Sequence, residues 1–340
     1  MPELPEVEVV RRGLLPHTLG RTVVRVEVLD ARILRRQVGG ADRLREAVEG
    51  NRLSALARRG KFLWWRLEEP GASNSGGSDV GQALMSHLGM SGQWRVRGAH
   101  PAADAAVPVL ASAPGSEGPA PDPLRHRRLT LHLDTGTAID LIDQRIFGGL
   151  WTSPLTEAPD GAIAGAGSPD HLLPADARGI ARDLLDPAAD LPAIARTLRS
   201  RRSAVKSLLL SQDVVSGIGN IYADEALWAA RTRYDTPGNA LSQRRALSIL
   251  RAAAAVMERA LDHGGTSFDA LYVNVDGRSG YFARSLNAYG RAGNPCPRCG
   301  RLIRRTMHQG RSSHYCPGCQ RPPTAVGRPP ATARARKDPQ

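Results

Sequence analysis

The sequence predicts an α+β protein in which a leading helix and a β-sandwich precede a helical region and a small cysteine-rich unit. Short β-rich runs occupy the chain up to about residue 155, and stretches with a period of 3.6 residues follow them. All four cysteines lie within the last fifty residues, in two Cys-x-x-Cys pairs. With 340 residues, the chain is long enough for two domains and a sizeable core.

The N-terminal part begins with a predicted helix over residues 3–19. Val7, Val10 and Leu14 recur on one face, and acidic residues precede arginines, as the helix dipole favours. Several β-rich runs follow at a spacing typical of a β-sandwich, and residues 134–136 are typical of a hairpin turn. The predicted strands cover residues 22–29, 62–67, 83–88, 129–133 and 138–142.

Two stretches interrupt the sandwich, at about residues 70–81 and 98–123. The first is rich in glycine and serine and the second in alanine, proline and glycine, so both indicate flexible surface insertions. Beyond residue 155, Gly264 and Gly265 end the longest of several periodic stretches. The predicted helices cover residues 191–198, 205–210, 221–230 and 242–263.

The chain therefore divides into four predicted parts. The last part is rich in proline, alanine and arginine, a composition that predicts disorder. The parts are a sandwich domain at residues 1–155, a helical domain at 156–284, a cysteine-containing unit at 285–321 and a basic tail at 322–340.

The charge of the chain favours a polyanionic partner. Its formal net charge is +13 and its pI is about 10.5, which suits either nucleic acid or an anionic membrane surface. No run of eighteen apolar residues occurs, and no signal-peptide pattern opens the chain. Nucleic acid is therefore the favoured partner, and the cytoplasm, with the chromosome as working surface, is the expected location.

The cysteine spacing predicts one structural zinc ion. Cys296 and Cys299 are separated from Cys316 and Cys319 by sixteen residues that can form a hairpin. Four thiolates satisfy tetrahedral Zn²⁺ and leave no open position for water. The alternative, a redox dithiol, lacks a βαβ setting. The intervening residues carry several basic side chains, so this unit also suits a phosphate backbone.

A glycine-rich turn at residues 215–220 precedes a predicted helix. Backbone N–H groups at a helix N-terminus form a ready phosphate site, although such a turn is often only a turn. Four basic residues nearby favour the phosphate site, and one of them, Lys206, is predicted to contact DNA. They are Arg199, Arg201, Arg202 and Lys206.

Two further loops carry candidate wedges. Met90 lies between glycines, and Arg145 and Phe147 lie close together at the end of a strand. Exposed apolar and cationic side chains can enter a base stack and fill the gap that an extruded nucleotide leaves. The alternative for Met90 and Phe147 is packing in a core.

The first residues place Pro2 where it can become the N-terminus, since methionine is usually trimmed before proline. The resulting secondary amine would be partly neutral at physiological pH, because an α-amine has a reference pKa of about 7.7–8.0. Addition of such an amine to a sugar aldehyde carbon forms an iminium ion, an electron sink for breaking C–O bonds. The alternative is an ordinary proline in the first turn of a helix.

Together these motifs resemble formamidopyrimidine-DNA glycosylase, a bacterial family that removes oxidised purines such as 8-oxoguanine from DNA. The resemblance runs in order along nearly the whole chain, outside the insertions and the tail. It is carried by the Pro2–Glu8 start, Arg58-Arg-Gly-Lys61-Phe, His87-Leu-Gly-Met90-Ser-Gly, Gly217-Ile-Gly-Asn220-Ile-Tyr, Gly280-Tyr-Phe, Tyr289-Gly-Arg and the cysteine pairs. It implies a β-sandwich, then a helix-two-turns-helix domain with a zinc finger, and a monomer that binds lesion-containing double-stranded DNA.

The resemblance also implies roles for single residues. Pro2 matches the Schiff-base nucleophile, and Glu3 matches the carboxyl group that helps to protonate the opening sugar. Lys61 matches the proton donor of β-elimination, and Arg311 matches the arginine of δ-elimination. The matched DNA contacts are His126, Arg145, Arg201 and the phosphate-binding Asn220, with Met90, Arg145 and Phe147 as the trio that fills the vacated base position.

Two departures from the family pattern affect DNA contacts. The chain has Ile146 after Arg145 where the family often has a second arginine, and residues 267–277 form an unusual version of the loop that covers the flipped base. Three rival functions remain: a sister glycosylase for oxidised pyrimidines, a non-catalytic homologue that binds damaged DNA, and a zinc-ribbon RNA-binding protein. The sequence therefore favours a bifunctional glycosylase and AP lyase of base excision repair.

Overall fold

The computed structural model describes residues 2–70, 81–98, 122, 124–265 and 285–322. Apart from some of their ends, the predicted insertions, the loop at residues 267–277, the Gly280-Tyr-Phe motif and the basic tail lie outside the described residues. No helix in the described part is long and apolar enough to span a membrane.

Most described helices lie in the second half of the chain. They are α1 (Leu4–Thr18), α2 (Gly40–Val48), α3 (Leu191–Ser200), α4 (Val205–Leu210), α5 (Asn220–Ala229) and α6 (Gln243–Asp262), with short 3-10 helices at Ala31–Leu34, Ala175–Ala177 and Gly238–Ala240. The helices predicted near residues 3–19, 191–198, 205–210, 221–230 and 242–263 are thus all present, with ends shifted by at most two residues.

Two antiparallel sheets form the first half, which confirms the predicted β-sandwich. Their strand orders are β1-β6-β7-β5 and β2-β3-β4-β8-β9. The strands are β1 (Val23–Val28), β2 (Arg52–Arg59), β3 (Phe62–Glu68), β4 (Gln82–His87), β5 (Gln93–Arg97), β6 (Arg127–Leu133), β7 (Ala138–Ile142), β8 (Gly149–Glu157) and β9 (Leu172–Pro174), with β10 (Arg304–His308) and β11 (Arg311–Tyr315) forming a separate hairpin.

Four strands of the sandwich and helix α2 have no counterpart in the sequence prediction. Strand β2 ends in two arginines that are both buried, although arginine usually indicates exposure. Strand β5 is largely polar, and β8 carries Pro154, which weakens a strand pattern. Because β9 pairs with β8, this sheet also continues past residue 155, where the sequence predicts the end of the first domain.

Helix α1 joins the two main hydrophobic cores. Its residues Val7, Val10 and Leu14 pack in the core of the sandwich, whereas Leu4 packs in the core of the helical domain. The start of α1 therefore lies at the junction of the two domains, and it brings Pro2 and Glu3 to that junction.

Candidate active site

The N-terminal segment is held at the start of helix α5. The N–H of Leu4 donates to the carbonyl of Gly217 at 3.0 Å. The Glu3 carboxylate accepts three backbone N–H groups, from Gly219 at 2.7 Å, Ile221 at 2.9 Å and Tyr222 at 3.3 Å. A helix N-terminus carries partial positive charge, which stabilises an anion placed there.

This contact corrects the prediction that the glycine-rich turn binds phosphate through its N–H groups. The anion at the turn is the carboxylate of Glu3. A Cβ atom on Gly219 would lie 2.3 Å from Cδ of Glu3, and one on Gly217, whose φ is +88°, would lie 2.5 Å from Cδ1 of Leu4. The two glycines therefore let the N-terminal segment approach the backbone of the turn.

The Glu3 carboxyl group has a pKa suited to proton transfer. Burial raises its pKa to about 7, although the charge of Lys61 and the donated N–H groups oppose the shift. A carboxyl group with this pKa is partly protonated at neutral pH, so it can both donate and accept a proton.

Lys61 lies in the turn between β2 and β3 and points into the same region. It is 8% exposed, and its Nζ donates to the carbonyl of Ile218 at 2.9 Å. The turn is fixed because the Gly60 N–H and the buried Arg58 guanidinium both donate to the carboxylate of Asp183. Lys61 is therefore a buried charge and not a solvated surface one.

Charge around Lys61 modifies its acidity. Burial lowers the pKa of the ammonium group, the Glu3 carboxyl opposes that change, and the Arg311 guanidinium adds to it. A lysine with a lowered pKa transfers a proton more readily at neutral pH than an ordinary one does. Glu3, Lys61 and Arg311 thus act electrostatically as one cluster.

The hairpin of β10 and β11 completes this cluster from the other side. Nδ2 of Asn220, the first residue of α5, donates to the carbonyl of Ser312 at 3.0 Å. The neighbouring Arg311 is exposed at the start of β11. The structure therefore brings together the four residues predicted to be catalytic, Pro2, Glu3, Lys61 and Arg311, and the predicted phosphate contact Asn220. We call these five residues the catalytic cluster.

The structure contradicts the prediction that Lys206 contacts DNA, because its side chain does not face solvent. Its side chain is fully buried, and Nζ bonds to Asp224 at 2.7 Å and to the carbonyl of Ser312 at 2.8 Å. His314 on β11 bonds to the same Asp224 carboxylate. A buried charge is costly without a partner, so Lys206 serves to attach the hairpin to α5.

The four cysteines form a compact metal site at the other end of the hairpin. The Sγ atoms of Cys296, Cys299, Cys316 and Cys319 lie within 4.8 Å of one another. Four sulfur atoms at about 2.3 Å from one Zn²⁺ ion would lie about 3.8 Å apart, so the set fits a structural zinc ion. Trp228 on α5 donates its indole N–H to the Sγ of Cys296.

The predicted wedge residues are exposed, which rejects their assignment to a core. Met90 is 43% and Phe147 51% exposed, and Nη1 of Arg145 lies 4.0 Å from Sδ of Met90. The two loops press together, because a Cβ on Gly89 would lie 2.3 Å from the backbone of Phe147. Asp143 stabilises them by accepting from the Ser91 hydroxyl and from the N–H of Arg145 and of Gly148.

Strand register places the wedge loops beside Lys61. Phe62, next to Lys61, pairs with His87, and His87 pairs with Gly149, so all three positions share one end of the sheet. Burial lowers the pKa of His87 to about 4, and the charges of Arg36 and Lys61 act in the same direction. Its Nδ1 accepts from the N–H of Gly89, which helps to shape the Met90 loop.

His87 is a site residue that the sequence analysis did not identify, although the motif His87-Leu-Gly-Met90 contains it.

The two remaining predicted DNA contacts, His126 and Arg201, lie near segments that carry other site residues. The carbonyl of His126 accepts from the N–H of Asp143, which starts the Phe147 loop. Arg201 pairs at 3.0 Å with Asp213, in the loop that leads to α5.

The buried carboxyl group of Glu3, next to Pro2, lies in the same cluster as Lys61, and the loops of the exposed residues Met90, Arg145 and Phe147 lie at the same end of the sheet as Lys61, an arrangement that indicates a DNA glycosylase. Three domain families match: formamidopyrimidine-DNA glycosylase N-terminal domain at residues 1–150, formamidopyrimidine-DNA glycosylase H2TH domain at 180–271, and a zinc finger found in FPG and IleRS at 293–322. The chain belongs to the formamidopyrimidine-DNA glycosylase family.

Similar proteins cover almost the whole chain. Formamidopyrimidine-DNA glycosylase of Leifsonia xyli subsp. xyli is 46% identical over 94% of this chain and 100% of its own length. MutM (FPG) of Thermus thermophilus is 32% identical with a TM-score of 0.69, covering 94% of this chain and 98% of its own. A variant of Lactococcus lactis FPG bound to Fapy-dG-containing DNA is 26% identical with a TM-score of 0.70, covering 94% and 100%.

Changing Gly219 to alanine is expected to lower lesion excision by about a hundredfold, because misplacing a catalytic group by about 1 Å has effects of this size. The backbone of Gly219 is extended, with a φ of −123°, so alanine adds no backbone strain. The added methyl group would instead displace the Glu3 carboxylate. Single-turnover excision from a lesion duplex measures the effect.

Gly179→Ala is the matched control, since a Cβ at Gly179 would meet nothing within 4 Å. It is expected to keep full activity. Equal activity of the two variants, with both folded by circular dichroism, would contradict the role assigned to the close contact between Gly219 and Glu3.

Proposed function

We propose that Pro2 is the nucleophile with which this DNA glycosylase and AP lyase removes oxidised purines, such as 8-oxoguanine and formamidopyrimidines, from DNA. The single observation that carries this assignment is the docking of Glu3 on α5. Its three hydrogen bonds fix residue 3, and residue 2 is thereby placed next to the buried Glu3 carboxyl and in the cluster of Lys61 and Arg311.

The chemistry follows from these groups. The neutral Pro2 nitrogen attacks C1′ of the damaged nucleotide while the base leaves and the sugar ring opens. Glu3, with its raised pKa, supplies the proton that this step consumes. The product is an iminium ion, which holds the sugar covalently on Pro2 and acidifies the proton on C2′.

Strand cleavage follows by elimination. Loss of the C2′ proton expels the 3′ phosphate, and a further elimination expels the 5′ phosphate, which leaves a one-nucleotide gap. Lys61 and Arg311 are placed to protonate or neutralise the departing phosphates. The lowered pKa of Lys61 favours proton transfer in the first of these steps.

The wedge loops serve base extrusion. Met90, Arg145 and Phe147 enter the stack where the damaged nucleotide leaves it, while Asn220, His126 and Arg201 contact the backbone. The net charge of +13 supports binding to double-stranded DNA. We further propose that the chain acts as a monomer in the cytoplasm, on the chromosome. The proposed domains cover residues 1–155, 156–284 and 285–321, with a basic tail at residues 322–340, and the short strand β9, which follows the first domain in the sequence, completes its sheet.

Borohydride trapping tests the nucleophile. Reduction during turnover on an 8-oxoguanine:cytosine duplex is expected to produce a covalent protein–DNA adduct, since borohydride converts the iminium ion to a stable amine. Peptide mapping by mass spectrometry should place the adduct on Pro2. Attachment at Lys61 would contradict the assignment.

The same assay separates the rival functions. Duplexes with an oxidised pyrimidine, an abasic site or no lesion are compared with the 8-oxoguanine duplex at equal protein concentration. Faster excision of the oxidised pyrimidine would favour the sister specificity. Binding to all lesions without nicking of the abasic-site duplex would favour a non-catalytic homologue.

A further inference from the structure

Arg35 bridges the backbone of the loop that carries Arg145 and Phe147. It follows the 3-10 helix at Ala31–Leu34, and its Nη1 donates to the carbonyl of Ile146 at 2.8 Å. Its Nη2 donates to the carbonyl of Phe147. One guanidinium group therefore donates to the carbonyl groups of two successive residues, Ile146 and Phe147. The planar fork of N–H donors in arginine suits such a pair of acceptors.

The loop needs such support because its backbone is strained at Ile146. This residue has a φ of +55°, a left-handed conformation that is an outlier for a β-branched side chain. Strain of this kind persists only where the surroundings hold it in place. The half-buried Ile146 side chain packs against the sandwich core, and Arg35 donates to the carbonyl of the same residue.

Arg35 itself extends from a rigid base. Ile33 and Leu34, just before it, are buried in the sandwich core. The side chain of Gln37, just after it, accepts the backbone N–H of Thr152 on β8 at 2.7 Å. The backbone is thus fixed to the sandwich on both sides of Arg35. The guanidinium group can therefore hold the loop in a fixed position relative to the sandwich.

We propose that Arg35 is a positioning residue for base extrusion, because it keeps the Ile146–Phe147 backbone in the conformation that projects Phe147 outward. This inference rests on the proposed function of Phe147 as a wedge. The adjacent Arg145 contacts Met90. By holding the backbone of this loop, Arg35 therefore also helps to position Arg145 against Met90.

This role separates two activities of the enzyme. Excision of an intact lesion requires the base to leave the stack, and extrusion depends on the wedge. Cleavage at a preformed abasic site has no base to extrude, so it depends on the catalytic cluster and much less on the wedge. Loss of Arg35 is therefore expected to lower lesion excision more than abasic-site cleavage.

The test compares Arg35→Gln with Arg36→Gln. Arg36 is the next residue, is also exposed, and stacks on Trp151 at 4.8 Å; among the described residues it makes no hydrogen bond to the loop. Both substitutions remove one positive charge from the same surface. Single-turnover rates on an 8-oxoguanine duplex and on an abasic-site duplex are measured, with 2-aminopurine beside the lesion reporting unstacking.

We expect the ratio of lesion excision to abasic-site cleavage to fall about tenfold in Arg35→Gln, the size expected for losing hydrogen bonds from a charged donor. The 2-aminopurine signal should slow in parallel, and both readouts should stay unchanged in Arg36→Gln. Equal ratios in the two variants would overturn the proposal, and so would an equal loss of both activities in Arg35→Gln. Failure of the wild-type protein to cleave either duplex would instead overturn the proposed function.

Discussion

A chain that keeps Met1 is expected to excise lesions about a thousandfold more slowly, or worse, than the trimmed chain. Retention of Met1 places the Pro2 nitrogen in a peptide bond, and an amide nitrogen has no free electron pair with which to attack C1′. Removal of a covalent nucleophile has effects of about this size or more. Every side chain of the catalytic cluster stays the same, so the comparison tests the need for a free amine at Pro2.

The experiment uses one preparation before and after treatment with methionine aminopeptidase. Mass spectrometry gives the fraction of trimmed chains, and borohydride trapping on an 8-oxoguanine duplex should rise in proportion to it. Affinity for an undamaged duplex is the internal control and should not change. Full trapping by chains that still carry Met1 would require another nucleophile, either the α-amine of Met1 or the side-chain amine of Lys61.

Substitution of Cys316 by serine is expected to lower strand cleavage about a thousandfold, because the finger loses its structural zinc ion. A structural zinc ion contributes about 10–16 kcal/mol to the folding of a finger, and a two-stranded hairpin is marginally stable on its own. The hairpin carries Arg311, and Ser312 binds both Asn220 and Lys206. Unfolding of the finger would therefore remove Arg311 and expose the buried charge of Lys206.

Zinc content and cleavage of an abasic-site duplex are measured together for Cys316→Ser. Met307→Ser is the control, because Met307 lies in the same hairpin on β10 and is 61% exposed. It should retain one zinc ion per chain and full cleavage. A zinc-free Cys316→Ser protein with wild-type cleavage would show that the finger is dispensable for the reaction.

Elements with a strong local pattern were predictable from the sequence. Helix α1 and the four predicted helices of the second half carry the period of 3.6 residues, and the cysteine pairs have ligand spacing for zinc. Strand β2 was missed because its arginines are buried: Arg58 lies between Glu8 and Asp183, which are far apart in the sequence. A charge pattern alone does not reveal such partners.

The candidate site divides in the same way. The residue types of the catalytic cluster are visible as motifs, and the family resemblance of those motifs predicts roles for Pro2, Glu3, Lys61, Asn220 and Arg311. The use of the glycine-rich turn was wrong, because the turn receives Glu3 from the opposite end of the chain. The prediction for Lys206 was also wrong. A lysine near other basic residues in the sequence is expected to be exposed, but the ion pair with Asp224 allows Lys206 to be buried.

By itself, the sequence determined which chemical groups this protein has and where short-range order forms. Periodicity, turn residues and ligand spacing involve residues that are close together in the sequence, so they can be recognised without a structure. The tertiary structure alone decided that Glu3 lies at the N-terminus of α5, that Lys206 is buried and that Arg35 holds the Phe147 loop. These contacts join residues far apart in the sequence, and they depend on how the sandwich, the helices and the zinc finger pack against one another.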